Sequence, residues 1–349
     1  MADKKEDKSI IQYCATALLP NIKTLNETVR NILRRSNIED IHDLRVSSRR
    51  IRTVLNIFSE YLPNKKIKSW EKEIRTITKS FGSVRDLDVQ IDLINEIYES
   101  TEDNKIRSGL RRIRMRLKQK RKQKQASTKK ITGLILDSTA IIEMNTWAES
   151  ALENSGGETF FSSELYRLGY KKVQNRLDEF IFYEVFIFDP ARVEELHQMR
   201  ISAKQLRYAL EVFSNLYEHK TDSALDIARQ AQEYLGNIHD SDVWIDFLLN
   251  FMDKEMKRIK DFYGYSSPYN RIKPGIEYLI KNRQRERTRL YKGFLKNWKE
   301  WKFKETWLDL RKIIFLTSLE THHMPPADKP PEVPQEPPPE NPPEVPAQD

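Results

Sequence analysis

The sequence predicts an all-α fold made of two similar helical halves. Three observations carry this. Apolar residues recur at helical spacing along most of the chain, with no convincing period-two alternation of the strand type. Only 10 glycines interrupt 349 residues. Two linked motifs each occur twice, in the same order. A content of 38% hydrophobic and 32% charged residues suits long amphipathic helices and leaves little material for a broad buried sheet. The length suffices for two domains of ordinary size, each burying its own core.

Taken along the chain, the first motif is "HDLRVSSRRIR", His42 to Arg52, which returns as "HQMRISAKQLR", His197 to Arg207, at an offset of 155. "SNIE" at Ser36 to Glu39 has the spacing of a capping box, and Asp189-Pro190 offers an N-cap followed by proline at the first helical position. Each is expected to open one of these helices. The second motif, "FGSVRDLDV" ending at Val89, returns as "LGNIHDSDV" ending at Val243, at an offset of 154. A third pair shows in spacing alone: Arg107, Arg111, Arg114, Lys118 and Arg121 advance by four, three, four and three, as do Arg285, Arg289, Lys292, Lys296 and Lys299. This implies an offset of 178 and roughly two dozen extra residues in the second copy, placed as a loop around Asp261 to Gly275. The halves are expected at 8–155 and 156–320, meeting near "ENSGGET", Glu153 to Thr159. Residues 321–349 form a tail whose proline-rich, acidic part from Pro325 is expected to be extended and disordered.

Charge points to the partner. Sixty Lys and Arg against 52 acids give +8, but the segment from Pro325 holds six acids and one base, which leaves the rest with 59 bases against 46 acids. A basic body concentrates polyanions. Cys14 is the only cysteine, so no intrachain disulfide forms and a reducing compartment is expected. No run of apolar residues is long enough to span a membrane, and "MADKKEDKS" lacks the apolar stretch of a signal peptide. A cytoplasmic protein is the default expectation, with no membrane partner.

At 100° per residue, Leu44, Ile51, Leu55 and Phe58 fall within about 60° of arc, while His42, Arg45, Arg49 and Arg52 share a neighbouring arc of roughly 80°. His197, Arg200, Lys204 and Arg207 stand in the same relation to Met199, Leu206, Leu210 and Phe213. A charged stripe is usually a solvated helix face. Here, however, like charges at i, i+3 and i+7 repel, and Asp43 is the only acid between positions 42 and 59. Arginine forks grip two oxygens of one phosphate, so a repetitive anion is implied. Inorganic polyphosphate satisfies such a surface with phosphates alone; RNA or DNA is the competing partner, but a nucleic-acid reader would add aromatic platforms, and these are sparse.

Catalytic signals are poor. No glycine-rich phosphate loop occurs, no cofactor is expected, and Cys14 sits among apolar neighbours. Asp86 and Asp88, with Asp240 and Asp242, form two D-x-D pairs that could hold magnesium in a metal-dependent polyphosphatase; beside so many arginines a salt-bridging, structural role is the expectation, with no metal bound. His42 and His197 lie near helix starts, where an anion is favoured, and an imidazole titrating near pH ~6.5 could add a proton-dependent contact. The chain is expected not to be an enzyme.

"IHDLRVSSRRIRTVLNIF" with "FGSVRDLDV", then "LHQMRISAKQLRYALEVF" with "LGNIHDSDV", resemble the conserved histidine α-helical domain (CHAD) family over most of residues 8 to 320. The resemblance implies two antiparallel four-helix bundles related by pseudo-twofold duplication, binding inorganic polyphosphate in a basic channel between them, in some members on polyphosphate granules. It places the family's histidines on His42 and His197, and its basic helix residues on Arg45, Arg49, Arg52, Arg200, Lys204 and Arg207. The stripes that begin at Arg107 and Arg285 are expected to extend the channel wall. Two positions depart from the pattern: His239 stands where the first copy has Arg85, and Lys204 stands opposite Arg49. The triphosphate tunnel domain that often accompanies the family is not expected here, nor is its hydrolase chemistry. The tail is assigned a protein partner of unknown identity.

Overall fold

The computed structural model describes residues 7–35, 38–153 and 161–322, and its regular elements are ten α-helices with three short 3-10 turns. The first half runs α1 (Lys8–Arg35), α2 (Ile38–Ile57), α3 (Asn64–Glu99), α4 (Asn104–Leu136) and α5 (Thr139–Glu153); the second runs α6 (Ser163–Phe182), α7 (Val193–Phe213), α8 (Asp222–Tyr263), α9 (Lys273–Phe303) and α10 (Thr306–His322). In each half the first four helices pack in sequence order, and a shorter fifth returns against the first, α5 on α1 and α10 on α6. Local chemistry sets the ends. The Asp103 side chain caps α4 by accepting the Lys105 N–H at 2.7 Å, Ser162 caps α6 through the Leu165 N–H at 3.1 Å, and Gly264, at φ 81°, terminates α8 in the left-handed conformation that glycine adopts without strain.

The two halves share a core. One cluster of buried side chains runs from Ile10 on α1 to Ile314 on α10, and a second joins the far ends of α3 and α4 (Leu87, Ile94, Leu110, Ile113) to those of α8 and α9 (Trp244, Leu248, Ile276, Leu279). Equivalent residues of the two copies meet each other, as a twofold relation requires. Phe58 and Phe213 lie with ring centroids 5.9 Å apart, and Tyr13 stacks on Phe213 at 6.0 Å while its hydroxyl donates to the Val212 carbonyl at 2.8 Å. At the other end Gly109 of α4 and Gly275 of α9 touch backbone to backbone: a Cβ added to Gly109 would stand 2.7 Å from the Gly275 Cα.

Three expectations need correction. Gly275 follows Gly109 by 166 residues, and so does Arg287, which pairs with Asp242, follow Arg121, which pairs with Asp88 at 2.9 Å. The offset of the fourth helices is therefore 166, not 178. A 12-residue slip turns a helix by about 120°, so the stripe at Arg285, Arg289, Lys292 and Lys296 occupies a different face from the one at Arg107. The insertion is correspondingly about a dozen residues. Part of it is helix, because α8 continues 20 residues beyond Val243 whereas α3 continues 10 beyond Val89; a 3-10 turn at Ser267–Arg271 follows. Finally, α7 begins at Val193. Asp189 closes a local turn on the Ala191 N–H at 2.9 Å, and no side chain caps the helix. Ser36, the segment 154–160 and the proline-rich tail lie outside the described residues.

Candidate anion-binding site

The basic faces of α2 and α7 meet where these two helices cross between the halves. Arg49 and Lys204, equivalent in the two copies, are neighbours there. Burial lowers the Lys204 ammonium to about 8, helped by Arg49, Arg200, Arg52 and Arg45. Burial also lowers the Arg49 guanidinium; Tyr208 opposes this, while Arg45, Arg200 and Arg207 add to it. Six cations from two helices thus share one field in a partly dehydrated space.

Their surroundings divide them. Arg45 is committed within its own half, its Nη1 donating to the Gly82 carbonyl at 2.9 Å and to Asp86 at 2.8 Å. Arg207 donates to Glu211 at 3.0 Å. Among the described residues no carboxylate lies within salt-bridge distance of Arg49, Arg52, Arg200 or Lys204. A cavity of about 730 Å³ opens beside the crossing, lined by Arg49, Arg52 and Lys204 together with Lys68, Lys72 and Arg75 of α3 and Lys172 and Arg176 of α6. Eight bases line it against one acid, Glu71. Among the described residues Arg176 alone of these is in a salt bridge, with Glu179 at 2.7 Å, while Glu60 acts on Lys172 from farther off.

Sequence reasoning missed the five cations from α3 and α6. A signal existed: Lys68, Lys72 and Arg75 advance by four and three, opposite the buried face of Ile67, Trp70, Ile74 and Ile77. Interspersed acids, Glu71 and Glu73 on α3 and Asp178 and Glu179 on α6, hid it by making both segments look like mixed, solvated faces.

The stripes of α4 and α9 do not line this cavity. Arg107 and Arg114 flank the Tyr98 ring at 4.4 and 4.6 Å, and Arg111 donates to its hydroxyl at 3.1 Å. Tyr98 is about 18 Å along α3 from Asp86 at 1.5 Å per residue. Arg121 is held by the buried Asp88, and Lys118 is exposed. On α9, Arg289 pairs with Glu286 at 2.6 Å, while Arg285, Lys292 and Lys296 are exposed.

Of the carboxylates in the two D-x-D pairs, Asp86, Asp88 and Asp242 hold Arg45, Arg121 and Arg287. Asp240 lies near Asp86, Arg200 and Arg45, and its carboxyl is pushed above the usual range, first by withdrawal from water and then by Asp86. Among the described residues no group of three or more His, Cys, Asp or Glu side chains could hold a metal ion. His42 is exposed at the start of α2. His197 is half-buried, its Nδ1 without a partner, and stacks at 4.0 Å on His239, the residue that replaces an arginine. Burial lowers the His239 imidazole to about 4, with His197 and Arg200 contributing, so this position supplies no charge near neutrality. Cys14 is buried, which pushes its thiol up and leaves it inert.

Fold and site together define a duplicated all-helical protein with a basic cleft at its internal interface. The CHAD domain model matches residues 16–249, and the chain belongs to the CHAD family. Two solved structures have a similar fold: the CHAD domain from the plant Ricinus communis, at 20% identity and TM-score 0.55, with 82% of this chain and 91% of that one covered, and PptA from Streptomyces chartreusis, at 12% identity and TM-score 0.55, with 83% and 99% covered. No curated protein matches the sequence. Among the described residues no helix is long and apolar enough to cross a membrane.

Proposed function

We propose that the protein binds inorganic polyphosphate, without turning it over, in the basic cleft beside the α2–α7 crossing. The observation that carries this reading is the set of seven cations facing one cavity with no carboxylate within salt-bridge distance among the described residues: Arg49, Arg52, Lys68, Lys72, Arg75, Lys172, on which Glu60 acts from farther off, and Lys204. Two unit charges 6 Å apart repel by about 3 kcal/mol at an effective dielectric constant of 20, so the free cleft is electrostatically strained and a row of phosphates relieves it. Tyr208 is the one aromatic side chain lining the cavity, which favours a ligand made of phosphates over one whose bases need stacking platforms. Condensed polyphosphate granules in the cytoplasm would present such a ligand at high density, and a tail partner would then be recruited to them.

Purified protein titrated with polyphosphate, single-stranded RNA of equal charge and free phosphate tests the reading. Polyphosphate should bind tightest, with a log–log salt slope of roughly −5 to −6 for seven contacts, and Arg49→Glu with Lys204→Glu should abolish binding while the helical circular dichroism is retained. Equal affinity for RNA would replace polyphosphate by nucleic acid as ligand. Phosphate release abolished by EDTA would make the protein a metal-dependent polyphosphatase.

A further inference from the structure

The cations of α4 fall into two sets. Arg112 and Arg116 share the buried Glu255 of α8, and Arg121 takes Asp88. Arg107, Arg111 and Arg114 take no acid: among the described residues no carboxylate lies within salt-bridge distance of them or of Lys118. They gather instead on Tyr98 of α3. Arg107 and Arg114 lie over its ring at 4.4 and 4.6 Å, Arg111 donates to its hydroxyl at 3.1 Å, and Arg114 also reaches Asn95 at 3.4 Å. The Arg107 Nε is buried without a hydrogen-bond partner. The Arg111 hydrogen bond, opposed by withdrawal from water and aided by the charges of Arg107 and Arg111, holds the phenol below its ordinary range. Three like charges drawn to one ring repel, and a row of phosphates would relieve them.

The cluster belongs to one copy only. Contacts that the duplicated fold needs occur in both halves, as Gly109 with Gly275 and the pairs Arg121–Asp88 and Arg287–Asp242 show. At the same offset of 166, however, Arg107, Arg111, Arg114 and Lys118 become Lys273, Glu277, Ile280 and Gln284, and at 154 Tyr98 becomes Met252. Lys273 there pairs with Glu277 at 3.6 Å. Since α9 packs without such a cluster, packing does not demand it of α4. Its position relative to the cleft is set by a single helix. Arg75, which lines the cleft, and Tyr98 both lie on α3, about 35 Å apart along the axis and about 140° apart around it. Between them stand Lys79, exposed, and Arg85, half-buried, neither in a salt bridge among the described residues.

We infer that Arg107, Arg111 and Arg114, gathered on Tyr98, form a second anchor for polyphosphate, engaged by a chain that already lies in the cleft and continues beyond it round α3. The inference rests on the polyphosphate reading above. Three contacts alone hold a free chain weakly. On a chain tethered in the cleft they act at the effective concentration that the tether sets, on the order of millimolar. Guanidiniums cover the Tyr98 ring where a base would stack, so the anchor suits phosphates and not nucleotides.

The test is length dependence. Monodisperse polyphosphates of increasing length are titrated calorimetrically into the full chain and into its Arg107→Gln, Arg111→Gln, Arg114→Gln variant. A control removes the same charge from exposed positions of α1, as Lys23→Gln, Arg30→Gln and Arg34→Gln. Short chains should bind all three proteins alike. Beyond the length that reaches both sites, the unaltered protein and the α1 control should gain about tenfold or more in affinity, and their log–log salt slope should steepen by about 2 to 3 for three added contacts. The α4 variant should gain neither. A length dependence common to all three proteins overturns the inference while leaving polyphosphate binding intact. A gain lost as fully in the α1 control as in the α4 variant also overturns it, since net charge would then be its source. No binding at any length overturns the proposed function itself.

Discussion

The charge on Lys204 is held against the fields of four guanidiniums, Arg45, Arg49 and Arg52 of α2 and Arg200 of its own helix, with Lys172 and Arg176 of α6 and Lys68, Lys72, Arg75 and Glu71 of α3 lining the same cavity. In the free protein the ammonium therefore loses its proton as pH rises through about 8. A bound polyanion favours the charged form and raises that value, so binding takes up a proton above pH 8 and releases none below it. Polyphosphate affinity should be flat from pH 7 toward 8 and then fall by up to about tenfold per pH unit. Lys204→Arg, whose guanidinium keeps its charge throughout, should bind as tightly at pH 9 as at pH 7 in a calorimetric titration; an unchanged pH dependence in that variant would assign the proton elsewhere. At this scale the sequence is a partial guide. Arg45, Arg49, Arg200 and Lys204 are legible as one stripe that occurs twice, but which of them stays unpaired is decided by residues distant along the chain, Asp86 on α3 taking Arg45 while no carboxylate among the described residues takes Arg49.

At the scale of helices, the docking of the two halves away from the α2–α7 crossing depends on how closely α4 and α9 approach. A methyl group on Gly109 would stand 2.3 Å from the Ile272 carbonyl oxygen and 2.7 Å from the Gly275 Cα. Both neighbours are backbone and cannot rotate aside, so the helices must separate. Gly109→Ala is expected to cost about 2 kcal/mol, in the range of overpacked cores, measured by denaturant unfolding. Nearby, Glu255 of α8 is fully buried and bridges the halves, accepting from Arg112 at 2.6 Å and Arg116 at 3.1 Å on α4, with Arg258 at 2.9 Å. Burial alone would raise its carboxyl, but the hydrogen bonds from Arg116, Arg112 and Arg258 outweigh it and hold the group below its usual range. Glu255→Ala would strand partly buried cations, and a loss of about 3–5 kcal/mol is expected. Because the folded carboxyl titrates below the unfolded one, its contribution is complete above the unfolded value near 4.5 and fades as pH falls through the folded one; acid unfolding of the alanine variant should lack that component. Neither contact was legible in the sequence. One glycine among ten carries no mark of a partner 166 residues away, and the basic pattern of α4 repeats at helical spacing whatever face it covers, which is why letters aligned the motifs of α2 and α3 correctly while spacing alone misaligned α9.

For the molecule as a whole, the legible part was the duplication, because the residues that build it are held in place by contacts with their own equivalents, Phe58 on Phe213 and Gly109 on Gly275. The make-up of the cleft was hidden, since Lys68 and Lys72 of α3 and Lys172 of α6 are seen to share one cavity only when the two halves are docked. That geometry gives a final prediction. The cleft draws Arg49 and Lys68 from the first half and Lys172 and Lys204 from the second, and the halves already share one apolar cluster. A polyphosphate seated there binds only when both halves are folded and docked. It should therefore raise the stability of the entire chain as one cooperative unit, by about 2.7 kcal/mol at one hundred times its Kd. Thermal unfolding followed by helical circular dichroism should show a single transition moving upward with added polyphosphate. The shift should vanish in 1 M salt, where the screening length falls to about 3 Å, and in the Arg49→Glu, Lys204→Glu variant at any salt. A ligand-dependent shift confined to part of a split transition would mean that one half alone holds the anion, and the crossing of α2 and α7 would lose its place as the site.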